Sequence, residues 1–179
     1  MKKKLISTAL FVFCAYFTIF SQNSNHGANK GLTNQQKENI SKEVRKTLDK
    51  CFDAMTRLNV DALMDCALQS SDFHYIDGEG NLFDYAGMKN EISQWYGMLS
   101  SQKSVVAKSE IIVVSNEVAE YISQGTLELT LKNNKVLYLS PYSLYFNLKR
   151  INGVWKVFHC QESHYQPQKK GEKGLPAKK

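Results

Sequence analysis

The sequence feature that most constrains the fold is a long apolar hairpin in residues 140–165. Two apolar and aromatic runs flank Asn152-Gly153, a dipeptide that tolerates positive φ at both central positions of a type I′ turn. Such a turn places Ile151 opposite Val154 and thereby fixes the register of both strands. Because strand side chains alternate, one face of the hairpin is predicted to carry a single set of residues. The set is Tyr142, Leu144, Phe146, Leu148, Trp155, Val157, His159, Gln161 and Ser163.

The predicted face is apolar near the turn and polar at its far end. An apolar wall with a few polar groups is typical of a small-molecule site. We therefore predict a pocket for a small hydrophobic or aromatic molecule, with Trp155 and His159 turned inward. The alternative is a core filled by its own side chains. The predicted ligand-binding residues are Tyr75, Trp95, Tyr121, Tyr138, Tyr142, Phe146, His159, Gln161 and Ser163.

The N-terminus has the parts of a secretory signal. Three lysines follow Met1, residues 5–20 are almost wholly apolar, and Ser21 is a small residue suited to cleavage. The apolar run is shorter than the roughly 20 residues of a membrane-spanning helix. We predict cleavage after Ser21, a periplasmic or secreted protein, and no membrane attachment after cleavage. The predicted segments are a signal peptide (1–21), a flexible leader (22–32), one domain (33–166) and a disordered basic tail (167–179).

The formal net charge of +6 does not indicate a nucleic-acid-binding surface. Three lysines lie in the predicted signal and five in the tail, which leaves 15 basic and 16 acidic residues between Gln22 and Gln168. The predicted domain is therefore close to neutral, whereas a surface that follows phosphates needs clustered Lys and Arg on one face. Nucleic acid is not a predicted partner.

Three helices are predicted before the long strands. Residues 33–36 have the form of a capping box, and an apolar stripe at helical spacing follows it. The stripe comprises Ile40, Val44, Leu48, Cys51, Phe52, Met55 and Leu58. Asp61 is predicted to cap a short second helix and Asp84 to begin a third, with a short strand at residues 73–77 between them.

From about Gln102 the apolar pattern changes to period two. Long strands are predicted at residues 105–115, 118–131, 135–151 and 154–165. Carrying the hairpin register back predicts three inward-facing neighbours: Tyr121 with Phe146, Leu129 with Tyr138, and Leu131 with Val136. Helices followed by antiparallel strands predict an α+β domain whose helices cover one face of a curved sheet.

The opposite face of the sheet is predicted to be solvated, with an apolar island in its middle. The island comprises Ile122, Tyr145, Phe158 and Cys160. An exposed apolar patch of this kind on a soluble protein suggests contact with a second subunit. We therefore predict a homodimer through the outer sheet face. The alternative is a patch covered by the chain's own tail.

The order of elements and three short sequences resemble the nuclear transport factor 2-like (NTF2-like) superfamily. The sequences are N-x-D-A-L at residues 59–63, Y-I-D-G at 75–78 and N-G-V-W-K-V-x-H at 152–159. Within the superfamily, the sequence resembles small SnoaL-like or DUF4440-type proteins. The resemblance covers roughly residues 34–165 and implies a cone, in which three N-terminal helices pack on a strongly curved mixed or antiparallel sheet. It also implies a ligand inside the cone and subunits paired through the outer face.

The superfamily includes isomerases, cyclases, dehydratases and association domains, so the resemblance does not fix a function. Asp77 lies at a position that resembles the general base of the ketosteroid isomerase branch, where an apolar cavity can raise a carboxyl pKa. Asp-Gly is also an ordinary turn opener. His159 is the second candidate acid or base, and otherwise a ligand contact or a structural histidine. The oxyanion donors of that branch are not matched, because their regions hold Cys51 or Phe52, and Tyr142 or Ser143.

Three functions therefore stay open. The first is an exported protein that binds a small organic molecule. The second is an isomerase, dehydratase or cyclase that uses Asp77 and His159 as acid and base. The third is a noncatalytic dimeric association domain.

No metal site and no cofactor are predicted. The H-x-H-x-S ending of many relatives has lost its second histidine in this sequence, where Gln161 stands. A metal site would need His74 and His159 to meet at Asp77, whereas we favour Tyr75 and Asp77 facing the cavity.

Three cysteines remain after the predicted cleavage: Cys51, Cys66 and Cys160. The first two are predicted on packed faces of adjacent helices. They either form a disulfide in an oxidising compartment or stay buried thiols.

Overall fold

The computed structural model describes residues 31–164, which form three helices and six strands. The helices are α1 (Asn34–Thr56), α2 (Val60–Met64) and α3 (Tyr85–Met98). The strands are β1 (His74–Ile76), β2 (Leu82–Phe83), β3 (Leu99–Val113), β4 (Val118–Leu131), β5 (Val136–Ile151) and β6 (Val154–His164). They form one sheet in the order β2-β1-β6-β5-β4-β3, in which β1 and β6 pair in parallel and the other neighbours are antiparallel. The predicted α+β architecture with a mixed sheet is confirmed.

Several predictions concern residues outside the described range. They are the signal peptide (1–21), the leader as far as residue 30, the last residue of the final predicted strand, and the tail (167–179). Between residues 31 and 164, no helix is both long and apolar enough to cross a membrane.

Two predicted helix caps are confirmed. Thr33 Oγ1 accepts a hydrogen bond from the Gln36 amide at 3.2 Å, and Gln36 Oε1 accepts one from the Thr33 amide at 2.8 Å. This reciprocal pair is the predicted capping box. At the start of α3, Asp84 Oδ1 accepts a hydrogen bond from the Gly87 amide at 2.7 Å.

Two element boundaries differ from the predictions. Helix α2 is capped by Asn59, whose Oδ1 accepts a hydrogen bond from the Ala62 amide at 3.0 Å, so the prediction that Asp61 is the cap is wrong. Asparagine serves as well as aspartate at this position because its side-chain oxygen reaches the same amide. Strand β3 begins at Leu99, directly after α3, rather than at residue 105.

Helix α1 covers the inner face of the sheet. Its buried residues are Ile40, Val44, Leu48, Cys51 and Ala54. Each fully buried aliphatic side chain of this stripe contributes about 1.5–3 kcal/mol. The Phe52 ring lies edge-on to Tyr121 at 5.8 Å and stacks on Phe146 at 6.4 Å. Trp155 is buried beneath the same helix and donates a hydrogen bond from Nε1 to Glu43 Oε2 at 3.1 Å.

The hairpin has the predicted turn. Asn152 and Gly153 have φ values of 50° and 80°, and Ile151 pairs with Val154. Positive φ at both positions is the condition for a type I′ turn. Six of the residues predicted on the inner face are buried there: Tyr142, Leu144, Phe146, Leu148, Trp155 and Val157.

A β-bulge in β6 reverses the alternation beyond Val157. Leu148 pairs with Val157, but the next residue of β5, Asn147, pairs with His159, so Phe158 is the extra residue. An extra residue turns every following side chain to the other face. The prediction that three polar residues of β6 face inward is therefore wrong for His159, Gln161 and Ser163, and the inward residues are Cys160, Glu162 and His164.

A second irregularity lies in β5 at Pro141. Gly125 of β4 pairs with Tyr142, whereas Leu127 pairs with Leu139, so β5 has an extra residue between these pairs. A proline has no amide to donate to the ladder, which favours a bulge at this point. As a result Tyr138 points outward and is 65% exposed.

The predicted register of β4 and β5 is therefore right on one side of the irregularity and wrong on the other. The Tyr121–Phe146 pair is confirmed. Beyond Pro141 the observed pairs are Glu128–Tyr138, Leu129–Leu137 and Thr130–Val136, each one residue away from the prediction.

The outer apolar island is smaller than predicted. Ile122 is 42% exposed and pairs with Tyr145, and both Tyr145 and Phe158 are half-buried. Cys160 does not belong to the island, because the bulge turns it inward, where it is 7% exposed.

Candidate functional site

The cone encloses a cavity of about 350 Å³ between the inner sheet face and helices α1 to α3. Its wall is mainly aliphatic and aromatic, with residues such as Leu63, Phe73, Met88, Leu127, Leu144 and Val157. Three exposed lining residues mark its opening: Glu79 and Asn81 in the β1–β2 turn, and Trp95 on α3. Volume and lining are those of a small-molecule site.

Glu162 places a carboxyl group inside this apolar cavity. It lies on β6, opposite Leu144 of β5, and its carboxyl group accepts a hydrogen bond at Oε1 from the Tyr75 hydroxyl at 2.9 Å. The hydroxyl of Tyr142 also interacts with the Glu162 carboxyl as a hydrogen-bond donor. Both tyrosines are buried, so β1, β5 and β6 together hold one acid and two hydroxyl groups in the cavity wall.

The surroundings of Glu162 favour its protonated form. Burial raises the pKa of the Glu162 carboxyl above its ordinary value. The hydrogen bonds from Tyr75 and Tyr142 lower this pKa without cancelling the effect of burial, and the charge of Asp77 adds a further rise. Burial also raises the pKa of both tyrosine hydroxyls, so they stay protonated and act as donors.

Asp77 lies at the rim of the cavity, as predicted, but its oxygens serve the turn. Oδ1 accepts hydrogen bonds from the amides of Glu79 and Asn81 at 2.9 and 2.8 Å, and Oδ2 accepts one from Asn81 Nδ2 at 2.8 Å. Burial alone raises the pKa of the Asp77 carboxyl, but these bonds outweigh it and lower that pKa below the ordinary value. Asp77 therefore stabilises the β1–β2 turn, and an ionised carboxylate whose two oxygens both accept hydrogen bonds is a weak base.

Five of the predicted ligand-binding residues do not line the cavity. Gln161, Ser163 and Tyr138 are exposed on the outer face, and His159 is half-buried there. Tyr121 is a fifth case, because it is 1% exposed but packs in the core between α1 and β5 rather than along the cavity.

The other four predicted ligand-binding residues do line the cavity: Tyr75, Trp95, Tyr142 and Phe146. Trp95 is 41% exposed and therefore lies at the opening rather than in the interior. The prediction that Tyr75 and Asp77 face the same side is confirmed by their common place in the cavity lining.

His74 and His159 meet on the outer face. Their ring centroids are 5.3 Å apart, and His74 pairs with His159 in the parallel β1–β6 ladder. Burial lowers the pKa of His159, and the neighbouring His74 adds to this effect. Asp77 is on the cavity side and does not join them, and no group of three or more potential ligands that could hold a metal ion occurs within residues 31–164.

The three cysteines are buried free thiols in the cavity wall. A hydrogen bond between Cys51 and Cys66, followed by burial, raises the pKa of Cys51. The same hydrogen bond lowers the pKa of Cys66, and the Lys156 ammonium adds to that effect. Burial raises the pKa of Cys160, so Cys66 is the most acidic thiol of the three.

Glu162 and His164 are the site residues that the sequence analysis missed. Both were assigned to the outer face by strict alternation, and the bulge at Phe158 brings them inside. The His164 ring packs against the backbone of Gly78, where a Cβ atom would lie only 2.1 Å from Cε1 of that ring. A glycine in the Y-I-D-G sequence therefore makes room for the histidine.

No protein-family model matches this chain, and no curated protein has a significantly similar sequence. Similarity is found in solved structures. An NTF2-like superfamily protein from Salmonella enterica is 13% identical, with 76% of this chain and 99% of that chain covered at a TM-score of 0.65. A proposed scytalone dehydratase from Novosphingobium aromaticivorans is 9% identical, with 75% and 89% covered at a TM-score of 0.65. A proposed dehydratase of the NTF2-like family from Streptomyces avermitilis is 9% identical, with 73% and 99% covered at a TM-score of 0.64.

At these identities the similarity is one of fold. The matches cover 73–76% of this chain, which agrees with the resemblance seen in the sequence. This chain has the fold of the NTF2-like superfamily.

Proposed function

We propose that this SnoaL-like protein binds a small, mainly apolar organic molecule in the cavity of the cone. The observation that carries the proposal is a cavity of about 350 Å³ whose apolar wall reaches one enclosed carboxyl group, Glu162. A cone filled by its own side chains would leave no such space. Glu162 and its two tyrosine donors give a ligand one polar anchor, while the remaining wall supplies apolar contact.

A fluorescence titration with a neutral probe, N-phenylnaphthylamine, tests this proposal. Leu144→Trp places a larger side chain in the cavity next to Glu162, because Leu144 lines the cavity and is 2% exposed. The matched control is Tyr138→Trp on the outer face, where the residue is 65% exposed. We expect the first variant to lose probe binding and the second to retain it, with circular dichroism confirming that both are folded. Equal binding by both variants would contradict the proposal.

A second candidate function is acid–base catalysis by Glu162. The observation in its favour is the raised pKa of a carboxyl group in an apolar cavity, next to two tyrosine hydroxyls. The Glu162 carboxylate would remove a proton from a carbon beside a carbonyl group, and the electron pair of that C–H bond would form the enolate. A tyrosine hydroxyl would donate a hydrogen bond to the enolate oxygen. Return of the proton to another carbon gives an isomerase. If the enolate instead expels a hydroxyl group from the neighbouring carbon, the protonated Glu162 carboxyl group returns its proton to that hydroxyl, the C–O bond breaks and water leaves, which gives a dehydratase.

Glu162 takes the place of the acid and base predicted from the sequence. His159 lies on the outer face, and the carboxylate oxygens of Asp77 are engaged in the turn. Solvent deuterium exchange into cyclic enones, followed by NMR, tests the activity. We expect exchange with the wild type and with the surface variant Glu128→Gln, and none with Glu162→Gln. Equal exchange rates in all three proteins would exclude this role.

We also propose a homodimer through the outer sheet face. Ile122 and the half-buried Tyr145 and Phe158 support it as an apolar patch suited to a second copy of the chain. The noncatalytic association domain predicted as an alternative would use the same face. Light scattering after size-exclusion chromatography should give a dimer for the wild type and a monomer for Ile122→Glu. A monomeric wild type would rule this interface out.

Export is a further part of the proposal. The lysines and the apolar run before Ser21 support a cleaved signal and a periplasmic or secreted location. The mass of the protein recovered from its natural host should correspond to a chain that begins at Gln22. A chain that retains residue 1 would contradict export by this route.

A further inference from the structure

Apart from His164, the acidic and basic side chains of the cavity lining are all carboxylic acids. They are Asp77, Glu79, Glu91 and Glu162. Within residues 31–164, no lysine or arginine lines the cavity, although the chain as a whole has a formal net charge of +6. The cavity is therefore acidic within a predicted domain that is close to neutral as a whole.

The acidic side chains extend from the opening to the interior. Glu79 is exposed in the β1–β2 turn, Glu91 is half-buried on α3, and Glu162 places its carboxyl group among apolar side chains. The nearby Lys89 of α3 does not offset this charge, because its Nζ pairs with Asp61 Oδ1 at 2.8 Å outside the cavity. The cavity therefore presents carboxyl groups both at its opening and in its interior.

Aromatic rings lie along the same path. Trp95 at the opening and Tyr75, Phe83, Tyr96 and Tyr142 further in all line the cavity. The faces of such rings attract cations, and the attraction grows where water is excluded. An apolar cavity with carboxyl groups and aromatic faces attracts a cationic ligand and repels an anionic one.

We propose that the ligand is a hydrophobic amine, in which an apolar body carries one protonated nitrogen. This inference rests on the proposed small-molecule function and adds the chemical class of the ligand. A positive charge beside Glu162 favours the ionised form of its carboxyl group, which burial alone disfavours, so the ammonium group donates hydrogen bonds to a carboxylate there. The body of the molecule contacts the aliphatic and aromatic wall. The ion pair between the ammonium group and Glu162 also offsets the unfavourable free energy of burying a carboxylate among apolar side chains.

Three probes of nearly equal shape test the charge preference: naphthylethylamine, naphthylethanol and naphthylacetate. Isothermal titration at neutral pH and low ionic strength should give an affinity for the amine at least about tenfold above that of the alcohol. The acetate should bind most weakly. Glu162→Gln and Glu91→Gln should each reduce the ratio of amine to alcohol affinity, whereas Glu128→Gln, on the outer face, should leave it unchanged.

The outcomes separate the two proposals. If the alcohol binds as tightly as the amine, or if the acetate binds most tightly, the inference about the amine is wrong while small-molecule binding stands. If none of the three probes binds and N-phenylnaphthylamine also fails to bind, both proposals are overturned. Glu91→Gln keeps the test decisive if Glu162→Gln does not fold, because Glu91 lines the cavity but is only half-buried on α3.

Discussion

The hydrogen bond between Tyr75 and Glu162 can be tested by removing the Tyr75 hydroxyl alone. Tyr75 is 3% exposed, its hydroxyl donates to Glu162 Oε1 at 2.9 Å, and its ring stacks on Phe83 at 5.8 Å. In Tyr75→Phe the ring and its packing remain, so the loss comes from the bond. Hydrogen bonds contribute about 0.5–1.5 kcal/mol when neutral and about 1.5–3 kcal/mol when one partner is charged. We therefore expect the free energy of unfolding to fall by about 1–3 kcal/mol.

A double-mutant cycle assigns this loss to the bond. In the Glu162→Gln background the acceptor is a neutral amide, so Tyr75→Phe should cost less there, by about 1 kcal/mol. Urea denaturation of the four proteins at neutral pH gives the coupling energy. The matched control is Tyr138→Phe, the same change at a residue that is 65% exposed on the outer face, and it should stay within about 0.5 kcal/mol of the wild type.

Two results would refute this reasoning. One is a cost for Tyr75→Phe no larger than that for Tyr138→Phe. The other is an equal cost in the presence and absence of the Glu162 carboxyl group. A further readout is the NMR titration of Glu162, whose pKa should rise in Tyr75→Phe because the lost hydrogen bond lowers that pKa in the wild type.

Three further predictions follow from the structure. Because the folded-state pKa of Glu162 is raised, its contribution to stability is fully present below the ordinary pKa of a glutamate and is lost as pH rises through the raised value. The free energy of unfolding of the wild type should therefore fall relative to that of Glu162→Gln in denaturations from about pH 4 to about pH 8. A constant difference between the two proteins would contradict this prediction. Gly125→Ala should lower the free energy of unfolding by about 2–3 kcal/mol, because its Cβ atom would lie 2.0 Å from the Val105 carbonyl oxygen of β3. Gly97→Ala on α3, with nothing within 4 Å of its Cβ atom, should raise the free energy of unfolding by about 0.5–1 kcal/mol, and equal effects in denaturant titrations would be inconsistent with the close approach of β3 to Gly125. Native-state alkylation with iodoacetamide, followed by peptide mass mapping, should modify Cys66 before Cys160. Cys51 and Lys156 lower the pKa of Cys66, whereas burial raises the pKa of Cys160. Modification in the reverse order would contradict the structure.

The sequence was sufficient for the fold because each local signal agreed with the others. Local chemistry decides the backbone structure at three places: the capping box at Thr33, the helical stripe of α1 and the Asn152-Gly153 turn. The strand alternation near that turn placed Trp155 correctly under α1, for the same reason. These features depend on neighbours within a few residues, which a sequence pattern contains.

The cavity interior was harder to predict because two extra residues reverse the alternation. Pro141 carried a usable signal, since a proline within a strand pattern often marks a bulge. The bulge at Phe158 had none of comparable strength. At this point a different segment pairs with β6. Before the bulge, the Val157 amide donates a hydrogen bond to the Cys66 carbonyl, and the Val157 carbonyl accepts one from the Leu68 amide. After the bulge, from His159 onward, β6 pairs with β1. Contacts between distant segments decide such a bulge, and a period-two pattern does not contain them.

The consequence for the site is specific. Beyond Phe158, three polar residues exchange faces with three others, so Glu162 replaces His159 as the central ionisable group. The chemistry changes with that exchange, from an imidazole to a carboxyl group held by two hydroxyls. The exchange also adds a carboxyl group to the interior of the cavity, whose acidic character the near-neutral composition of the predicted domain does not suggest.

The most direct test of the central claim is to locate a bound probe by NMR. With naphthylethylamine at saturation, we expect intermolecular NOEs from the probe to Leu144 and Tyr75 inside the cone, together with a change in the Glu162 carboxyl resonance. NOEs to Tyr138 or His159 on the outer face, with Glu162 unaffected, would contradict it.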